Sequence, residues 1–293
     1  MDNFIVLYNP LAGNGTAQDK MRELESLMQG DRLYFSNMLD IRDYGAFFND
    51  MPDGASIIIC GGDGTLSRFL NDTEDIRPDC DIYYYPSGSG NDFARDIGAE
   101  RGAPPVLINR YIERLPKICV NGKEHRFING IGYGIDGYCC EKGDELRGKG
   151  NGEVNYTAIA IKGLLFHYKP TGATITVDGV EHRFEKVWLA PTMIGRYYGG
   201  GMMPTPEQDR LNGDGAVSVM VYYGSGKLKS LAVFPSIFKG EHIKHSEMVA
   251  VLSGRNVTVC FDEPRPLQID GETVPGVREY SVTACEEKVL QPA

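Results

Sequence analysis

Three times within its first 92 residues the chain runs an apolar stretch straight into a glycine-bearing turn. Residues 4–8 lead into NPLAGNG, residues 57–60 into GGDGT, and residues 82–85 into PSGSGND. After GGDGT, Leu66, Phe69 and Leu70 recur at helical spacing, so that turn joins a buried strand to a helix. Helical patterns are also expected over 16–28 and 44–49, with a short strand at 34–35. Strands alternating with helices through glycine turns predict a doubly wound α/β sheet. Ligands of such sheets lie beyond the carboxyl ends of the strands. All three turns are therefore expected at one edge.

From about residue 116 the pattern changes. KICVNG, ATITVDGVEHRF, KVWLAPTM and GAVSVMVYY carry β-branched and aromatic residues between turns, and VNG and VDG read as hairpin turns. One helical segment, 155–166, is expected to interrupt them. The organisation read from this is an α/β domain over 1–116 and a β-rich, sandwich-like domain over 117–293, leaving open whether the last residues return to pack on the first domain. With 293 residues, two domains fit better than one.

A net charge of -10 and the lack of a basic stripe argue against a nucleic-acid partner. No stretch approaches the roughly 20 apolar residues of a spanning helix. MDNFIVLYNP has neither a basic lead nor a long apolar core, so no signal peptide is expected. The seven cysteines are odd in number and form no CxxC pair, which suits reduced thiols in a cytoplasmic protein. The Cys139-Cys140 pair reads as buried packing more readily than as a reactive site.

The turns carry chemistry of their own. NPLAGNG offers free N–H groups ahead of a helix, either an anion site or an ordinary loop. In GGDGT, Gly61, Gly62 and Gly64 let the main chain approach a polyphosphate. Asp63 would repel a bare phosphate and makes sense with Mg²⁺ or a reacting hydroxyl between them. Thr65 can donate to a phosphate oxygen or cap the helix. In the third turn Ser87, Gly88, Ser89 and Gly90 form a polar loop, with Asn91 or Asp92 capping the next helix. Arg95 could reach a phosphate or pair with Asp92 or Asp96.

Taken together, NPLAGNG, GGDGT and PSGSGNDFAR resemble the catalytic domain of the diacylglycerol kinase superfamily, which includes bacterial soluble lipid kinases, sphingosine kinases and ceramide kinases. The resemblance continues through FINGIGYGIDG (127–137), YYGGGMMPTPEQDRLNGDGAVSV (197–219) and LQIDGE (267–272). It implies a kinase that transfers the γ-phosphate of ATP, with Mg²⁺, to a lipid hydroxyl such as that of diacylglycerol. It also implies a nucleotide-binding α/β domain, a β-rich second domain and an active site in the cleft between them. Carried over residue by residue, ATP is expected at Asn9, Pro10, Gly13, Gly61, Gly62, Asp63, Gly64, Thr65, Leu66, Ser89 and Asn91. Mg²⁺ is expected at Asp214, with the main-chain oxygens of Leu211 and Ala216. Asp270 or Glu272 is expected as the base near the acceptor, and Asp63 in a water network with the metal. The implied partner is a lipid at a membrane surface, reached transiently from the cytoplasm. Homodimerisation is left open.

The chain departs from the family pattern in two places. Ala12 stands where a serine is common, and Ser67-Arg68 follows GGDGT in place of Asn-Glu. Arg68 could lie near phosphate or pack outward. The aromatic and methionine-rich stretch 187–203 could line an acyl channel or form ordinary core. Three other functions compete, one of them a kinase of another hydroxylated small molecule. An NAD kinase shares the GGDG turn but does not normally carry PSGSGNDFAR. A non-catalytic relative would bind nucleotide or lipid only, although Asp63, Asp214, Asp270 and Glu272 are all retained.

Overall fold

The structure, a computed structural model, describes residues 2–10, 17–88, 90–148 and 156–285. It divides into two compact units, Met1–Glu113 and Arg114–Ala293.

The first unit is a five-stranded sheet. Strands β1 (Asn3–Tyr8), β2 (Arg32–Asn37), β3 (Ser56–Gly61) and β4 (Ile82–Pro86) run parallel in the order β2-β1-β3-β4, and β5 (Val106–Leu107) adds antiparallel to β4. Helices α1 (Ala17–Leu27), α2 (Tyr44–Asn49), α3 (Asp63–Asp72), α4 (Asp92–Ile97) and α5 (Asn109–Ile112) alternate with the strands. Strand β2 is longer than its two-residue expectation because it pairs along all of β1, from Asn3 opposite Arg32 to Tyr8 opposite Asn37. Ile57, Ile58 and Ile59 are fully buried, a contribution of about 1.5–3 kcal/mol each. The strand order reverses between β1 and β3, as the doubly wound reading requires. Tyr8 lies opposite Cys60 and Gly61 opposite Pro86, so the three glycine-bearing turns start level at one sheet edge.

The second unit is a ten-stranded antiparallel sheet. Its strands are β6 (Lys117–Val120), β7 (Lys123–Arg126), β8 (Gly130–Tyr133), β9 (Thr171–Val177), β10 (Val180–Val187), β11 (Thr192–Met193), β12 (Val217–Tyr222), β13 (Val249–Gly254), β14 (Asn256–Ile269) and β15 (Glu272–Thr283). Residues 257–261 of β14 pair with β9, whereas 267–269 pair with β8. The change of partner falls at a bulge around Pro264 and Pro266, which have no N–H to give to a ladder. The expected hairpin turns form at Asn121-Gly122 and Asp178-Gly179, all four residues at positive φ.

The expectation of one helical segment in this half needs correction. Besides α7 (Tyr156–Lys162), which continues into a π-helical turn at Gly163–His167, there are α6 (Ile135–Gly148), α8 (Lys227–Val233) and 3₁₀ turns at Phe234–Lys239 and Glu241–Lys244. Helix α6 hides in the sequence because its glycines serve packing. A side chain at Gly137 would overlap the Pro266 carbonyl, and one at Gly143 would meet the Tyr156 ring. The 187–203 stretch is core: Trp188, Tyr198 and Met202 are buried with Tyr168, Met193 and Met220. Cys139 is buried too, and desolvation pushes its thiol far above the usual range, which suits packing. Among the described residues no cysteine is in a disulfide.

Candidate active site

At the β1/β3 switch edge the backbone carries the site. Gly62 is the N-cap of α3, and a side chain there would sit 3.0 Å from the Gly88 Cα, while one at Gly88 would overlap Gly62. The two glycine turns therefore touch main chain to main chain. Gly61 is also obligatory, because a Cβ would overlap Thr65, which is itself buried as is Leu66. Asn91 stands at positive φ, and its amide takes the Gly88 N–H at 3.1 Å and gives to the Gly88 carbonyl at 2.9 Å. Arg101 also donates to that carbonyl. Gly64 has open space beside it. The turns thus present main chain with few side chains, and open space beside Gly64, the kind of surface a polyphosphate can approach. Asn9 and Pro10 begin the neighbouring turn. Gly13 and Ser89, both expected at the nucleotide, lie outside the described residues.

Asp63 has a structural duty that its sequence context conceals. Its carboxylate accepts the Asp92 N–H at 2.7 Å and the Phe93 N–H at 3.0 Å, satisfying the first turn of α4. It thereby ties the second glycine turn to the third. Arg68 pairs with Asp72 across one helical turn, Nε to Oδ2 3.3 Å, on an exposed face. Of its two readings, the outward one holds.

In the second unit Asp270 occupies the tip of the β14–β15 hairpin at φ 46°. Its carboxylate accepts three successive N–H groups, from Ile128 at 2.7 Å, Asn129 at 2.9 Å and Gly130 at 3.2 Å. Its own N–H donates to the Gly130 carbonyl at 3.1 Å. Arg210 holds the same segment from the other side, donating to the Ile128 carbonyl and, at 3.1 Å, to Asn129 Oδ1. Glu272 is exposed one residue beyond the turn glycine. Below the hairpin, Gln268 donates to Asp136 at 3.0 Å and accepts the Gly271 N–H at 2.6 Å. Desolvation pushes the Asp136 carboxyl up to about 6. Gly132 must lack a side chain because Asp136 fills that space.

The Asp-Gly loop borders a cleft of about 460 Å³ in this unit, lined by Asp209, Asn212, Asp214 and Ala216 among others. Asp209 accepts the Leu211 N–H at 2.9 Å, and Asp214 accepts the Ala216 N–H at 3.3 Å. The Ala216 carbonyl already takes Gln208 at 2.9 Å and Asn212 at 2.8 Å. By contrast, Asn212 Oδ1 is buried with no donor. A donor set of carboxylate, amide and carbonyl oxygens suits a hard cation such as Mg²⁺. Among the described residues no group of three or more His, Cys, Asp or Glu side chains could hold a metal without such help.

Two family models match the chain: the diacylglycerol kinase catalytic domain over residues 3–117, and the YegS C-terminal NAD kinase beta sandwich-like domain over residues 129–286. The chain belongs to the diacylglycerol kinase family. It is a lipid-kinase-type enzyme. Diacylglycerol kinase of Mycobacterium tuberculosis is 27% identical over 246 residues, covering 81% of this chain and 77% of that one. The Bacillus subtilis diacylglycerol kinase is 29% identical over 224 residues, covering 74% and 70%. A crystal structure of a diacylglycerol kinase from Bacillus anthracis superposes with a TM-score of 0.63 at 21% identity, covering 97% of this chain and 94% of that one, and so shares the fold.

For this diacylglycerol kinase family member, the residues that sequence reading missed are Arg101, Arg210 and Gln268. Arg101 acts 13 positions back, on the Gly88 carbonyl, whereas Arg210 and Gln268 act on segments about 80 and 130 residues earlier. No local pattern marks such a residue. Among the described residues no helix is long and apolar enough to cross a membrane.

Proposed function

We propose that this diacylglycerol kinase family member transfers the γ-phosphate of ATP to a hydroxyl of a diacylglycerol-class lipid in a Mg²⁺-dependent reaction. The observation that carries this reading is the Gly62–Gly88 contact, which brings two glycine turns together with no side chain between them at the switch edge of the sheet. Main-chain N–H groups there would hold the phosphates, with Asn9, Pro10, Gly61, Gly62, Gly64 and Thr65 around them. Gly13, Ser89 and Asn91 complete the proposed set.

Phosphoryl transfer depends on positioning and on charge neutralisation more than on covalent chemistry. Bound Mg²⁺ would offset phosphate charge. Asp214 with the loop oxygens of Leu211 and Asn212 would hold it, and the Ala216 carbonyl would have to give up an amide donor to join them. Asp63, while capping α4, keeps lone pairs for a water. Asp270 is proposed to orient the acceptor hydroxyl. Its three N–H donors fix the carboxylate in place, which suits an orienting role. Glu272, exposed beside it, is the proposed proton acceptor.

The test measures ADP release with ATP and Mg²⁺ against mixed micelles of diacylglycerol, phosphatidylglycerol, sphingosine or ceramide, with NAD as a soluble control and Asp270→Asn beside the unmodified protein. Lipid-dependent turnover lost in the variant is the expected result. Turnover on NAD alone would overturn the reading.

A further inference from the structure

The segment Gly226–Gly240 buries one face and leaves a second apolar face with nothing on it. Ser230, Val233 and Ile237 point into the core, where Leu231 and Phe234 also pack. On the opposite side Leu228, Ala232, Pro235 and Phe238 are exposed, four, three and three residues apart. Leu228 is 79% exposed and Phe238 42%. Such spacing draws one stripe along a helical surface. Helix α8 packs beside the π-helical turn, whose Phe166 is 73% exposed. Large apolar side chains left outside in this density mark an interaction surface.

The charges around the stripe name the partner. Lys227, Lys229 and Lys239 flank it, and no carboxylate occurs between Gly226 and Gly240. Residues 156–169 add Lys162 and Lys169, again with no carboxylate. This holds in a chain whose net charge is -10. Lys229 pairs with Glu247 at 2.8 Å, which offsets part of its charge. An apolar stripe rimmed by lysine is the composition of a helix that lies in the interface of an anionic bilayer. A second copy of the same face would set lysines against lysines, which disfavours a symmetric dimer here.

We propose that the face formed by α8 and the following 3₁₀ turn, together with Phe166, docks on anionic bilayers. The proposal rests on the lipid-kinase reading only in naming a membrane as the destination. Its test needs no turnover.

The experiment is flotation of the full chain with phosphatidylcholine vesicles, with and without phosphatidylglycerol, in the absence of ATP. The unmodified protein should float with the anionic vesicles and release as salt is raised. Leu228→Ser/Phe238→Ser and, separately, Lys227→Glu/Lys239→Glu should each lower the bound fraction about tenfold. Both should keep the unmodified melting temperature and the turnover on a detergent-solubilised short-chain diacylglycerol. The proposal is overturned if both variants float like the unmodified protein, or if that protein ignores anionic vesicles. It is equally overturned if light scattering finds a dimer that these changes dissociate. Vesicle binding through this face without turnover on any lipid would leave the docking inference standing and remove the kinase reading.

Discussion

Gly62 and Gly88 meet backbone to backbone, with Gly62 at the start of α3 and Gly88 held by the amide of Asn91. Gly88→Ala should therefore force the two turns apart. The expected loss is about 1–3 kcal/mol of stability from overpacking, with ATP affinity down at least about tenfold. Calorimetric titration with ATP beside urea unfolding checks both. Unchanged affinity would mean that nucleotide does not use these turns.

Asp63 joins the same two turns from its side chain, and its substitutions separate two roles. Asp63→Ala removes the acceptor for both α4 donors and should cost about 1–2 kcal/mol. Asp63→Asn keeps one acceptor oxygen but turns its NH2 toward the other N–H, so it should lose part of that stability. If Asp63 also orders water at the phosphates, both variants should lose turnover by a factor of about 10² or more. Full turnover in Asp63→Asn would confine the residue to capping.

The hairpin tip invites a parallel comparison. Asp270→Asn tolerates the left-handed conformation and retains an acceptor, so it should fold while turnover falls about 10²–10⁴-fold. Asp270→Ala leaves the N–H groups of Ile128, Asn129 and Gly130 without that carboxylate and should be distinctly less stable, by about 2–4 kcal/mol. Thermal unfolding of the two variants beside single-turnover kinetics separates the effects.

Asp136 gives a pH signature. Its carboxyl, pushed up to about 6 from 3.8 by desolvation, binds its proton more tightly folded than unfolded. Its contribution to stability is thus intact below about pH 4 and declines as pH rises toward 6. Asp136→Asn should be as stable as the unmodified protein at low pH and about 1–2 kcal/mol more stable at pH 8. Denaturant titrations across that range test the sign, and a pH-independent difference would count against it.

The first unit was legible because its signals are local. An isoleucine run followed by glycines specifies a buried strand and a tight turn, and the register of β1, β3 and β4 does the rest. Helix α6 was illegible for the converse reason: Gly137 and Gly143 lower helix preference locally in exchange for close contact with Pro266 and Tyr156. The acidic residues were found as types, but not their partners. Asp63 turned out to cap α4, and Asp270 to hold main chain at 128–130. Arg210 and Gln268 carry no periodicity and sit beside their partners only once the sheet has formed.

The link between Asp270 and Ile128 spans 142 positions of sequence. During synthesis on the ribosome, residues 128–130 leave the exit tunnel long before the carboxylate that fixes them has been made. The first unit, whose strands are near neighbours in sequence, can fold while the rest is still being translated. A nascent chain can thus close its glycine turns early yet lack the group proposed to orient the acceptor until the β14–β15 hairpin forms.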